Sequence, residues 1–287
     1  MKKVNVIIGC CFVALATVVS SCQKNNTATP TSSATVTDAQ ATDAQDISIA
    51  ASTFDNIDAQ VLASSSGSLK ADVVDSTEPQ PITKVVHTEK GEIQKELNYD
   101  GITKNGKDFS GKITIVMTCK LGASIDTTKD SNWVRKVTFN NYKEGGRKLE
   151  GTKTITYKGK DANGHPYWEI KLDSGKITLK NGKVITFNYD RIRTQIAGDT
   201  TATLKDDVFQ INGTGSGVNR RGVAYTTTTT NLIKANVCPY FESGTVVYVS
   251  DTKTISITYT GGTNCNPSAT VTVDGKTKTI NTDTETN

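Results

Sequence analysis

The sequence predicts an all-β domain, an antiparallel meander forming a broad curved sheet or open barrel, with one short amphipathic helix ahead of it. Three observations carry this expectation. From about residue 82 onward, apolar or β-branched residues alternate with Lys, Thr and Asn in short runs, the period of half-buried strands. Between the runs stand Asn105-Gly106, Gly145-Gly146, Asn163-Gly164, Ser174-Gly175, Asn181-Gly182 and Asp274-Gly275, pairs that accept the positive φ angles of tight hairpins. No long helical segment separates the runs, and parallel strands need crossovers of about a dozen residues or more. The Thr- and Lys-rich positions put one face of the sheet in water, as antiparallel pairing allows.

Met1-Lys2-Lys3 is followed by an apolar run, residues 4 to 19, that stops at Ser20-Ser21-Cys22. A basic start, a short apolar core and small residues at its end are the layout of an export signal. The run is too short for a membrane-spanning helix, which takes about 20 apolar residues. Val19-Ser20-Ser21-Cys22 resembles a lipobox. That resemblance implies cleavage before Cys22, diacylglycerol on its sulfur and acylation of its new amino group, so that residues 1–21 are a lipoprotein signal peptide. Two or three acyl chains, at about 0.8 kcal/mol per buried methylene, anchor almost permanently.

Residues 22–46 read as a lipidated flexible tether, because Asn, Thr, Ser, Ala, Gln and Asp dominate and no aromatic residue is present; such a composition cannot offset the entropy of ordering the chain. Residues 47–66 read as the helix, with Ile47, Ala50, Ala51, Phe54, Ile57, Val61 and Leu62 at helical spacing before Ser64-Ser65-Ser66-Gly67. Residues 82–287 form the β domain. Its expected strands are 112–117, 133–139, 152–157, 167–172, 176–179, 184–189, 201–204, 208–211, 224–232, 244–249, 254–259 and 269–273.

With Lys2 and Lys3 removed, 31 basic residues face 29 acidic ones. This balance, with lysines spread through strands and turns, excludes a nucleic-acid partner, which needs a concentrated basic surface. Arg191, Arg193, Arg220 and Arg221 form the densest basic group and read as solvent-facing strand and turn positions. Three cysteines remain beside Cys22. Cys238 and Cys265 flank the antiparallel runs 244–249 and 254–259, and a hairpin there returns one toward the other, so they are the candidate disulfide. Cys119 reads as a small buried hydrophobe. The absence of C-x-x-C spacing and of a His/Cys cluster argues against a metal site, and no cofactor motif is present.

Several longer segments resemble a group of uncharacterised outer-membrane lipoproteins of Bacteroidetes-type bacteria: LNYDGITKNGKDFSGKITI (97–115), VTFNNYKEGGRKLEGTKTITYKG (137–159), INGTGSGVNRRGVAYTTTTTNL (211–232) and GTVVYVSDTKTISITYTGGTNCNPSATVTVDGK (244–276). The resemblance implies an outer-membrane, lipid-anchored location and is silent on chemistry. In that group Asp-Ser/Thr motifs carry O-glycans, which makes Ser76, Thr127 and Thr200 candidate sites. The group's acidic turn before the last cysteine is replaced here by Gly261-Gly262-Thr263-Asn264.

No residue pattern assembles a catalytic set. His87 and His165 sit in turn-like or strand-edge contexts, Gly213-Thr214-Gly215-Ser216-Gly217 reads as a hairpin loop rather than a nucleophile elbow, and Asp206-Asp207 are merely adjacent. Tyr142, Tyr157, Tyr167, Trp168, Tyr189 and Tyr225 offer either a sugar-stacking platform or, more simply, cross-strand packing. The expected function is a non-enzymatic, membrane-tethered structural or binding module. Its competitors are a glycan-binding or fimbria-like adhesion component, with a glycan or envelope protein as partner, and a hydrolase with a loop-assembled site.

Overall fold

A strand followed by a hairpin needs no crossover to find its partner, and this chain uses that connection throughout. The computed structural model describes residues 35–65, 79–87, 92–104, 106–119, 133–201, 203–251 and 253–285. One helix, α1 (Asp38–Ser65), precedes β1 (Ile82–His87), β2 (Glu92–Asn98), β3 (Ile102–Lys104), β4 (Lys107–Cys119), β5 (Trp133–Glu144), β6 (Arg147–Lys160) and β7 (Pro166–Thr178). The chain continues through β8 (Val184–Ala197), β9 (Val208–Val218), β10 (Ala224–Ala235), β11 (Ser243–Ser250), β12 (Lys253–Tyr259), β13 (Ser268–Val273) and β14 (Lys276–Asn281). They form a single curved, open sheet in sequence order, with β3 pairing β4 beside the main path. Every pairing is antiparallel, as the hairpin signals predict.

Curvature comes from interruptions of the ladder. Register shifts occur between Ser110 and Lys112, Thr138 and Lys143, Glu150 and Thr152, Leu172 and Gly175, and Thr229 and Leu232. At three of them a non-glycine residue adopts positive φ: Asn141, Ser174 and Asn231. Each bulge bends its strand and raises the local twist. Glycine faces the bulge where backbones touch: a Cβ on Gly111 (φ 77°) would lie 2.2 Å from Asn141 O, and one on Gly244 (φ 102°) 2.3 Å from Asn231 O.

The sheet wraps its apolar face around α1. Ile47, Ala50, Ala51, Phe54, Ile57 and Val61 of the helix are buried against a core that includes Ile113, Phe139, Phe187, Ile257 and Val271. Phe54 meets Phe139 edge to face at 5.8 Å. One end of the curve is tied by the last residues of the chain. Arg147 at the start of β6 donates to Glu285 (2.6 Å) and Asp283 (3.1 Å), and Tyr240 also donates to Asp283. Cys238, after β10, is joined to Cys265, before β13, with their Cα atoms 5.4 Å apart.

Four expectations are corrected. The helix starts at Asp38, not Ile47, so 38–46 are not tether. Thr37 and Gln40 form a capping box: Thr37 N donates to Gln40 Oε1 (2.8 Å) and Gln40 N to Thr37 Oγ1 (3.2 Å), satisfying two orphan donors of the first turn. Ser174-Gly175 is a bulge inside β7 rather than a turn, so the expected runs 167–172 and 176–179 are one strand. In the expected strand 201–204, the described residues Thr201, Thr203 and Leu204 are not strand. Gly213 to Gly217 is not a hairpin loop but the second half of β9, where bulky neighbours take the space that inward side chains would fill. A Cβ on Gly217 would meet Thr186 O at 2.0 Å and Tyr225 Oη at 2.7 Å.

Gly244→Ala is expected to destabilise by about 1–3 kcal/mol, from unfavourable φ and forced contact together. Gly182→Ala, at positive φ in an open turn with nothing within 4 Å, bears only the conformational cost. Thermal unfolding should therefore rank Gly244→Ala below Gly182→Ala. Equal midpoints would show that the bulge does not need its facing glycine.

Candidate functional site

The densest cluster of ionisable side chains lies inside the curve, between α1 and the sheet. The helix carries Asp38, Asp43, Asp46, Asp55 and Asp58 and neither Lys nor Arg. Two of its acid pairs are spaced i,i+3, which places their members on one face. Because the sheet surrounds the helix, that face is as enclosed as the apolar one: Asp43, Asp46, Asp55 and Asp58 are each at most 3% exposed.

The sheet answers with cations from four places. Alternation along β8 sends Phe187, Tyr189, Arg191, Arg193 and Gln195 inward and leaves Ile192 on the outer surface, 38% exposed. Arg191 Nη1 donates to Asp55 Oδ2 at 3.0 Å, and Arg193 Nη1 to Asp58 Oδ2 at 2.7 Å. Lys153, inward on β6, pairs with Asp58 and donates to the helix carbonyl of Phe54 at 2.9 Å. At the other end of the helix the β9–β10 turn supplies three neighbours. Arg220 holds Asp46 through its guanidinium and its backbone N–H (2.9 Å). Arg221 grips both oxygens of Asp43 (2.9 and 2.6 Å), and Asn219 donates to the same carboxylate at 2.6 Å. Lys253 of β12 lies 3.5 Å from Asp43, and Tyr259 Oη donates to Ser48 Oγ at 3.0 Å.

Aromatic rings complete the setting. The Arg193 guanidinium stands 3.7 Å over the Phe209 ring and that of Arg191 4.5 Å over Tyr189, contacts in which a cation is drawn to the ring face. Burial shifts the titration of three groups in and beside the cluster. It pushes the Asp46 carboxyl up to about 6 despite the neighbouring Arg220. It pulls Lys153 below the usual lysine range against the attraction of Asp58 and Asp55. It brings Lys234, whose ammonium donates to Cys238 O, down to about 7.

The solvent-facing reading of Arg191, Arg193, Arg220 and Arg221 is thus overturned for the first three, which are buried; Arg221 is exposed yet also bound to the helix. The sugar platform is also corrected. Tyr142, Trp168, Tyr189 and Tyr225 are buried and Tyr157 and Tyr167 half-buried, so no open row of rings forms. Asp207 accepts from Gln195 (2.8 Å) and Asp206 from Thr201 (2.9 Å). His165 lies in a turn, its N–H bonded to Asp161. His87 ends β1 and Cys119 ends β4; their side chains, like Cys22, Ser76 and Thr127, lie outside the described residues. Thr200 is exposed in the β8–β9 connection. Glu242 sits beside Cys238 and Cys265, with ligand-type atoms within 4.8 Å, but both sulfurs are committed to each other.

The residues missed from the sequence are Asp43, Asp46, Asp55, Asp58 and Lys153. A signal was present: a segment of 28 residues with five acids and no base needs cations from elsewhere once buried. On the outer face an open depression of about 610 Å³ lies over β7–β10, with Lys171, Asp173, Asn188, Asp190, Thr214 and Ser216 in its lining. Comparison with protein-family models, curated proteins and solved structures gave no match. The geometry of this chain is therefore the ground on which its function is read.

Removing one partner of a buried pair strands the other charge, at a cost of about 3–5 kcal/mol. Arg191→Met and Asp55→Leu should each lower the denaturation midpoint strongly, and the double variant should recover much of the loss; strict additivity would deny the pairing. Lys234 supplies a pH test. Its folded pKa of about 7 lies below its ordinary value of 10.5, so the folded state carries a penalty at pH below 7 that is relieved as pH rises from 7 toward 10.5. The stability difference between Lys234→Met and wild type should shrink over that interval, and a constant difference would contradict the burial of the ammonium.

Proposed function

We propose that this chain is a non-enzymatic structural or binding module of the cell envelope, held at the outer membrane by lipid on Cys22. The supporting observation is where the buried charge goes. Asp43, Asp46, Asp55 and Asp58 are each engaged by sheet cations, so these groups hold the fold together instead of facing a substrate. The raised pKa of Asp46 and the lowered pKa of Lys153 belong to an ion-pair network, which perturbs pKa values as active sites do.

The anchor and the fold meet at the helix. Fourteen residues beyond Cys22 the chain is already buried, at Val36. Any pull on the lipid is therefore delivered to α1. Each of its large apolar side chains contributes about 1.5–3 kcal/mol by burial, and its paired carboxylates oppose withdrawal without losing their partners. This suits a module that must remain folded while attached to a moving surface.

A glycan-binding reading is favoured by one feature, the outer depression. Its amide, carboxylate and hydroxyl groups at Asn188, Asp190, Thr214 and Ser216 match the hydrogen-bonding rim of a sugar. Retention on a glycan array that is lost in Asn188→Ala/Thr214→Val would support it, and binding unchanged in that variant would remove the depression from consideration.

The anchor is tested directly. Cys22→Ala is expected to abolish palmitate labelling and move the protein from the membrane to the soluble fraction. Continued labelling of that variant would refute lipidation at Cys22. Protease treatment of intact cells then reports which side of the membrane carries the module.

A further inference from the structure

The sheet is complete without α1. Its backbone ladder runs from β1 to β14 in sequence order, and the helix is inserted as a separate element ahead of it. The concave face is nevertheless matched to that helix. Six cationic side chains, Lys153, Arg191, Arg193, Arg220, Arg221 and Lys253, meet its carboxylates. A face with buried cations and an apolar floor has one natural occupant, an acidic amphipathic helix, as in other grooves that take a helix by its apolar anchors.

We infer that the concave face is a binding site for an acidic helix, and that the α1 of a second copy can occupy it in place of the chain's own. Charge complementarity selects the ligand. Five acids and no base on α1 would be refused by a neutral groove, and a basic or neutral helix would leave the sheet's cations unpaired. Exchange of an identical element between copies creates no new interface chemistry. The connection permits it: sixteen residues, 66–81, join Ser65 to Ile82, and such a stretch reaches at most about 55 Å. The helix itself is about 42 Å long at 1.5 Å per residue, so the linker is long enough for the helix of one copy to lie in an adjacent sheet.

Concentration decides between the two arrangements. Covalent attachment through only sixteen residues gives the chain's own helix an effective concentration of about millimolar, so dilute protein closes on itself. Copies crowded on one membrane while folding meet competing helices at a comparable level. Once seated, α1 is held by its buried pairs and apolar side chains, and the arrangement chosen during folding persists.

The experiment uses two forms of the mature chain, one tagged at its N-terminus and one at its C-terminus, both with a protease site inserted within residues 66–78. They are refolded together from denaturant over a range of concentrations, or refolded separately and then mixed. The site is cut and the C-terminal tag is captured. The expected result is recovery of the N-terminally tagged helix on the other form's sheet, without its own sheet, only after joint refolding and rising with concentration. Retention of every helix by its own sheet at all concentrations up to millimolar overturns the inference. A second arm tests the charge code: a C-terminally tagged Arg191→Asp/Arg220→Asp sheet should lose the wild-type helix and accept an Asp46→Arg/Asp55→Arg helix. Equal capture of both helices by either sheet would show that charge does not select the occupant. Neither arm involves the lipid, so their failure leaves the membrane-anchor reading standing.

Discussion

The fold depends on four carboxylates that are buried only because four groups of sheet cations reach them. Enclosing a helix on all sides leaves no solvent-facing stripe for its polar residues, and an unpaired buried charge costs more than most single contacts contribute. Asp43, Asp46, Asp55 and Asp58 therefore specify where the helix sits as much as the apolar residues that drive its burial. A slip of one helical turn, about 5.4 Å, would break the present pairing of these carboxylates with Arg191, Arg193, Arg220 and Arg221. Apolar packing is tolerant of such a slip. The ion pairs are not.

The same requirement explains the shape of the sheet. A flat meander offers a helix one face, which would leave either the acids or the apolar residues of α1 in contact with water. Bulges at Asn141, Ser174 and Asn231, with Gly111 and Gly244 opposite two of them, bend the sheet far enough that β8 supplies cations to one end of the helix while the β9–β10 turn and β12 supply them to the other. The C-terminal residues Asp283 and Glu285, bound to Arg147, hold the far end of the meander against its middle. Curvature, closure of the end and the charge lock are parts of one arrangement around α1.

On the outside the sheet behaves differently in its two halves. Across β10–β14 a rank of directly opposed threonines, Thr230, Thr245, Thr258, Thr270 and Thr279, crosses five strands. From β2 to β8 the outward positions carry ion pairs such as Lys112 with Glu96 and Lys171 with Asp190. The exposed pairs are screened and individually weak. They keep half of the convex face solvated while the buried pairs on the opposite face determine the structure.

Strand content, antiparallel order and most turns were legible in the sequence, because period-two alternation and Asn-Gly or Gly-Gly pairs are local signals that local sterics enforce. The capping box at Thr37 and Gln40 is an equally local signal, but the polar first turns after it read as tether and the helix start was missed. What the sequence could not reveal was the sign of the face on which Arg191 and Arg193 lie. Alternation puts Tyr189, Arg191 and Arg193 together and Ile192 opposite, but whether that row faces water or the core depends on a partner more than 130 residues away in the chain. Composition argued for water, since arginine is buried only when paired, and the pairing acids stand on a helix whose distance and orientation exist only after the sheet has curved around it. The sequence by itself thus determined most of the central strands, their antiparallel order and the acids and bases available, while β1 to β3 and β14 were not read from it. Only the tertiary structure decided which of them meet, because the cost of burying a charge is cancelled by a neighbour in space and not by one in sequence.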